Sequence, residues 1–295
     1  MNQSPIRNGF GGARSIARDV EVAARIARDL LRAELPAAEI RHRQRRIHAE
    51  VLQLSRSMDA PNFSRIDADD LRRMVMLYDR EFFGSNLLRV IGRERLRFGL
   101  SSRMTRIAGK LVTHFPPRGA GTRSPTAAAL PARQPADGRR FEMILSSTLL
   151  FQAFSDVDRP ITVTGLRCHD RLEAMQRVCE HELVHLLEMY FWHDSSCSQG
   201  RFQSIAGRCF GHTEHQHDLI TQSERAARNF DVRVGTQVRF WHEGRELIGC
   251  VIRITRRATV LVRDDRGERF TDGERYVRYY VPLEQLRAVL APRPL

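Results

Sequence analysis

Lysine is almost missing from this chain. A single Lys, Lys110, stands beside 47 Arg, and together they outnumber 35 acidic residues to leave a net charge of +13. Arg outperforms Lys at phosphate and carboxylate forks, but an excess spread evenly over the whole chain reads as coding bias rather than as 47 chosen contacts. Long apolar runs are missing as well. An Arg, Asp or Glu interrupts every stretch before it reaches the ~18 apolar residues of a membrane span. The opening residues lack the apolar core of a secretory signal, and Asp19, Glu21, Asp29 and Glu34 set the following segment apart from acid-poor transit peptides. Cysteine is scarce, and its five positions (Cys168, Cys179, Cys197, Cys209 and Cys250) are odd in number and scattered. That argues against a disulfide framework. The expectation is a cytoplasmic protein with no membrane partner.

What remains is 295 residues with 42% hydrophobic and 28% charged side chains, enough for two globular units at about 150 residues each. Charge divides them unevenly. Residues 141–230 carry −4, whereas 1–60, 116–140 and 231–295 carry +4 each and 61–115 carry +5. The candidate chemistry lies in the one acidic block.

Apolar residues at helical spacing, from Ile16 to Leu31 and from Ile40 to Leu54, predict two amphipathic helices separated by Pro36. The basic run Arg41–Arg46 reads as a solvated helix face that could also touch phosphates. Asp67 or Asp69 is placed to cap a helix through Phe83, which Gly84-Ser85 stops. Strands are expected at Leu96–Leu100, Lys110–Phe115 and Phe141–Leu145. Residues 116–140 hold five prolines and three glycines with little to bury, and are expected to be an exposed, mobile insertion. Helices are expected over Leu149–Phe154, Asp170–Trp192 and 201–210, the last ended by Gly211. Beyond Asn229 the apolar period becomes two, with turn signals at Glu243-Gly244, Asp264–Gly267 and Asp272-Gly273, which predicts a small separate β-barrel of four or five strands.

The decisive motif is His181-Glu182-Leu183-Val184-His185. On a helix, positions i and i+4 share a face, so both imidazoles can reach one metal while Glu182 is placed to take a proton from a water it activates. Composition alone would produce this pattern in roughly 2% of such chains. Leu172, Met175, Val178, Cys179, Leu183, Leu186 and Leu187 supply an apolar face that puts the motif on a buried helix. A hydrolytic zinc takes three protein ligands and leaves one position open. Glu188 lies seven residues from His181, about 10 Å along the axis, too far to be the third, and reads as a salt-bridge residue or a partner of a ligand. The third ligand must come from a later turn, either Cys197 or one of His212, His215 and His217.

Several separated motifs then agree in order. The run Leu77-Tyr-Asp-Arg-Glu-Phe-Phe83, the segments Met104–Gly109 and Phe141–Ser146, Leu149-Leu150, the His181–His185 motif and Arg201–His212 resemble the SprT-like zinc metallopeptidases. That family includes the Spartan-type proteases that digest proteins crosslinked to DNA. The resemblance covers residues 70–217, about half the chain. It implies a compact α+β, zincin-like domain whose zinc is held by two helix histidines and a third histidine that opens the next helix, four residues before an aromatic. Here Ser198 stands four residues before Phe202. Cys197, one position away and competent as a thiolate, is the expected third ligand, making a His181, His185, Cys197 site for Zn2+.

Glu182 is then the expected catalytic base, first accepting the water's proton and later passing it to the leaving amine. Tyr190 and His193 are candidates by proximity for stabilising the oxyanion. A thiolate ligand makes the metal a weaker Lewis acid than three imidazoles would. The expected organisation is a helical N-terminal extension (1–62), a metallopeptidase domain (63–230) and an SH3-like barrel (231–295). In the barrel, Arg239-Phe240-Trp241 and Arg278-Tyr279-Tyr280 set rings beside cations, a combination that suits nucleic acid. The expected function is peptide hydrolysis, on protein or peptide substrates that include DNA-associated ones. The alternative is a non-catalytic metal-binding protein joined to nucleic acid by its basic flanks and barrel.

Overall fold

The computed structural model describes residues 10–32, 34–116, 138–155 and 159–289, with the side chains of 10–18 outside that description. Two helices lead, α1 (Phe10–Arg32) and α2 (Ala37–Leu54), with Pro36 as the N-cap of the second. Helix α3 (Ala68–Phe83) opens on a reciprocal capping box, in which Asp67 accepts from the Asp70 amide at 3.0 Å and Asp70 accepts from the Asp67 amide at 3.1 Å. Gly84, left-handed at φ 59°, closes it. A short helix that the sequence pattern does not signal, α4 (Leu87–Ile91), follows, its first amides bound by the buried Asp79 carboxylate at 2.8 and 3.2 Å.

Strands β1 (Leu96–Ser101), β2 (Gly109–His114) and β3 (Arg140–Ser146) form one sheet in the order β1-β3-β2. The central β3 runs parallel to β1 and antiparallel to β2. Phe141, Met143 and Leu145 alternate onto its buried face. The expected insertion at 116–140 lies almost wholly outside the described residues. Helix α5 (Ser147–Gln152) then leads to a hairpin of two three-residue strands, β4 (Ile161–Val163) and β5 (Leu166–Cys168). Its turn residues Thr164 and Gly165 both have positive φ, 55° and 79°, as a two-residue hairpin turn of matching twist requires. Strands this short carry no readable period, so the pattern gave no sign of them.

Helix α6 (Arg171–Trp192) is the axis of the molecule, with buried residues on every side and Asp170 as its N-cap, accepting from the Glu173 amide at 2.8 Å. Helices α7 (Gly200–Phe210) and α8 (Gln222–Phe230) follow, α7 closed by Gly211 at φ 75° as its glycine suggested. The last part is an antiparallel sheet of β6 (Gln237–His242), β7 (Arg245–Ile254), β8 (Ala258–Arg269), β9 (Arg275–Val281) and β10 (Arg287–Ala288), ordered β10-β6-β7-β8-β9. Asp264–Gly267, expected to be a turn, instead lies inside β8 at a shift of register between Arg263 and Glu268. Gly267 is needed there for close approach, because a Cβ would stand 2.3 Å from the Tyr276 carbonyl. The fold is mixed α+β, with a helical part and a C-terminal antiparallel sheet.

Two separate cores correct the expected boundaries. Ile26, Leu30, Ile47 and Val51 belong to the same core as α3, the first sheet and α6, so α1 and α2 pack as part of the main body and are no appendage. Ala226 and Phe230 of α8 pack with Val232, Val238 and Phe240 in the second core. The division therefore falls before α8, which is also tied back to the first part by Arg159 on Glu224 at 2.7 Å. Among the described residues no helix is long and apolar enough to cross a membrane.

A buried carboxylate joins these layers. Glu180 of α6 is fully buried and accepts from Arg177 at 2.8 Å, Tyr78 of α3 at 2.6 Å, Gln44 of α2 at 2.9 Å and His212, beyond α7, at 2.8 Å. Removing one partner of a buried ion pair strands the other, at a typical cost of about 3–5 kcal/mol. Glu180→Ala is therefore expected to lower unfolding stability by about that amount in urea titrations, and a loss below ~1 kcal/mol would show that the cluster does not tie the helices together.

Candidate metal centre

Helical spacing brings the two imidazoles of α6 to one side, their Nε2 atoms 3.2 Å apart. The chain then reverses at His193, left-handed at φ 61°, and runs through residues 194–199 into α7. Phe202, in the first turns of α7, is fully buried and packs its ring against both His181 and His185, at 4.9 and 4.6 Å between centroids. That contact docks α7 on α6 and carries the preceding loop to the imidazoles. Ligand atoms of His181, His185 and Cys197 all come within 4.8 Å of one another. Ser198 instead faces Ser196 at 2.9 Å and is exposed.

The donor set fits a zinc ion. Two nitrogens bound tetrahedrally at 2.0–2.1 Å stand about 3.3 Å apart, close to the spacing here. Burial holds both imidazoles neutral, lowering His181 to about 3, with the neighbouring His185 adding to the shift, and His185 to about 4. Neutral imidazole is the metal-binding form. The Ser195 hydroxyl donates to Glu188 at 2.8 Å and so accepts from His185 Nδ1 at 2.7 Å. The His185 proton is thereby held on Nδ1, leaving the Nε2 lone pair directed at the site. Glu188 is held in turn by Arg201 Nε at 2.6 Å, and the guanidinium lies over Trp192. Glu188 thus fills both roles the sequence left open, as salt-bridge residue and, through Ser195, as support for a ligand. Ser195 was not legible in advance, because only the reversal at His193 brings it back to His185.

The other thiols are poor candidates. Burial pushes Cys168 and Cys209 up to about 12 and Cys179 well above its ordinary value, while Cys250 lies in the C-terminal sheet. His212 is committed to Glu180 and buried away from the pair. Tyr190 donates to the Val90 carbonyl at 2.8 Å, and His193 ends α6 as an exposed residue; both serve the framework, and neither lines the cavity beside Glu182.

That cavity, about 160 Å³, is lined by Gly109, Val163, His181, Glu182, His215 and His217 among others. Glu182 is buried, and Oε2 has no hydrogen-bond partner. Burial raises its carboxyl to about 8, and a dication nearby would draw that value down again. Gly109 explains how β2 approaches so closely, since a Cβ there would lie 2.6 Å from Glu182 Oε1 and 2.8 Å from Val178. The chain after Gly211 folds back toward the motif, as His215 and His217 would need in order to be ligands. Yet they stand on the cavity wall, outside the group formed by His181, His185 and Cys197.

No protein-family model, curated protein or solved structure matches this chain. The geometry therefore carries the functional argument.

Loss of an outer hydrogen bond to a metal-binding histidine typically weakens the metal by about 10–100-fold. Ser195→Ala is expected to show that loss of zinc affinity in competition with a chromophoric chelator, and Cys197→Ala a larger one. Unchanged affinity in Cys197→Ala would remove Cys197 from the ligand set.

Proposed function

We propose that the chain is a zinc-dependent metallopeptidase of SprT-like type, with a zincin-like catalytic part that binds Zn2+ through His181, His185 and Cys197. The observation that carries the reading is the convergence of these three residues beside a buried carboxylate, Glu182, one oxygen of which has no hydrogen-bond partner. Bound zinc would supply Lewis acidity toward a water and toward the scissile carbonyl. Glu182 is the base: it takes a proton from the attacking water and returns it to the departing amine nitrogen as the C–N bond breaks. Its burial keeps bulk water from competing for that proton. Ser195, Glu188 and Arg201 hold His185 in orientation, and Phe202 holds both rings.

Protein or peptide is the substrate class, and a protein bound to DNA is the favoured form. The C-terminal sheet supports this second part. Its last strand returns beside the first after one turn of 3-10 helix at Leu283–Gln285, an order that suits an SH3-like barrel. Trp241 and Tyr280 expose large rings on it. Arg239 and Arg278 beside them are partly matched by Glu246 and Glu268 at 4.0 and 3.0 Å, so stacking rather than net charge is the stronger support. This same surface sustains the alternative, a non-catalytic metal-binding protein on nucleic acid.

Hydrolysis separates the two. Glu182→Gln is expected to retain zinc and lose cleavage of casein and of DNA-bound protein, whereas a wild-type chain holding zinc but cleaving neither supports the alternative. Gly109→Ala is expected to cut turnover by at least tenfold with zinc still bound, since the methyl group displaces the base by an ångström or more, a misplacement on the order of 100-fold in rate. Stacking on an aromatic is worth about 1–3 kcal/mol per base. Trp241→Ala is therefore expected to weaken single-stranded DNA binding by about 5–150-fold in anisotropy titrations, and no change would remove the sheet from the DNA surface.

A further inference from the structure

Peptide hydrolysis builds negative charge on the carbonyl oxygen, and the residues expected to meet it, Tyr190 and His193, are engaged elsewhere. Part of the cavity wall is the segment His215-Gln216-His217. It is bound to the β4–β5 hairpin as an added strand: Thr164 donates to the Gln216 carbonyl at 2.7 Å, Thr213 and Glu214 donate to the Thr164 carbonyl, and His217 bridges Val163. Along a strand, side chains two apart share a face, so His215 and His217 both turn to the side where His181 and Glu182 line the same cavity.

The two imidazoles are not equivalent. Burial lowers the pKa of His217, opposed by a hydrogen bond to the Arg106 backbone; Nδ1 is buried without a partner, so that bond falls to Nε2. Its one proton is thus used, and the ring fixes the wall. His215 is half-buried and carries no hydrogen bond to any described residue. An imidazole carries at least one N–H whatever its protonation state, and His215, which lines the cavity, can offer one there. The wall itself is positioned by Glu180, which holds His212 three residues upstream on one side and adjoins His181 on the other.

We propose that His215 is a further catalytic residue, donating a hydrogen bond to the substrate carbonyl oxygen as water adds to the carbonyl carbon. The step balances within the cavity. The water oxygen forms a bond to carbon, its proton passes to Glu182, and the carbonyl π pair moves onto the oxygen that His215 meets. When that pair returns, the C–N bond breaks, and the amine nitrogen receives the proton from Glu182. This inference rests on the peptidase reading.

The test uses the full-length, zinc-loaded chain with casein as substrate and a peptide phosphinate as mimic of the tetrahedral carbon. A single lost oxyanion donor costs about 10²–10³-fold in kcat. His215→Ala is expected to show that loss with KM changed by less than about threefold, zinc content unaltered and phosphinate binding weakened in proportion to kcat/KM. His215→Gln, which keeps an N–H donor, recovers part of the rate. Full activity in His215→Ala, a change in KM alone, or loss of zinc overturns the assignment while leaving the peptidase reading intact. A wild-type chain that holds zinc but matches Glu182→Gln in failing to cleave casein or DNA-bound protein overturns both.

Discussion

Helix α6 buries three carboxylates within nine residues, and the surrounding structure is organised around how each is satisfied. An unpaired carboxylate in a protein interior is very costly, so Glu180, Glu182 and Glu188, exposed by 0%, 3% and 0%, cannot be incidental. Glu180 takes hydrogen bonds from Arg177, Tyr78, Gln44 and His212 and so binds α2, α3 and the chain beyond α7 to the central helix. Glu188 takes Ser195 and Arg201 and so fixes the loop that carries Cys197. Glu182 alone keeps an oxygen without a partner. Two satisfied carboxylates hold the framework, and the unsatisfied one faces the place where chemistry is proposed.

The same economy governs the histidines. His212 completes the Glu180 cluster through Nε2, and His185 is oriented through Ser195, while the Nδ1 atoms of His181, His212 and His217 are buried with no partner. Buried polar atoms without partners are rare in folded proteins and ask for a ligand, an ion or water. Three such atoms, Glu182 Oε2, His181 Nδ1 and His217 Nδ1, belong to residues that line the one small cavity beside the metal centre.

Much of the local architecture was legible in the sequence because it follows from short-range rules. Asp67 at the start of α3, Gly84 and Gly211 at helix ends, the division at Pro36 and the alternation of β6, β7 and β9 all lie where capping, left-handed glycine and period-two patterning put them. The failures share a cause. Helix α4 exists because Asp79, eight residues upstream, caps it, and the β4–β5 hairpin is sustained by the returning chain at Thr213–Gln216. Gly267 resembled a turn residue but is small because the Tyr276 backbone passes against it. In each case the deciding partner lies outside the element's own residues and meets it only through the fold.

The candidate site divides along the same line. Sequence alone placed His181 and His185 on one helix face, because i and i+4 are neighbours whatever surrounds the helix, set Glu182 next to them in the chain, and narrowed the third ligand to Cys197 or the later histidines. Only the tertiary structure shows which of them stands beside the pair. The reversal at His193 and the docking of Phe202 on both imidazoles deliver Cys197 to the pair, while the hydrogen bond to Glu180 takes His212 away and the hairpin seats His215 and His217 on the cavity wall. A helix fixes the relative positions of residues four apart, but residues joined through a loop meet only where packing and buried hydrogen bonds hold the loop.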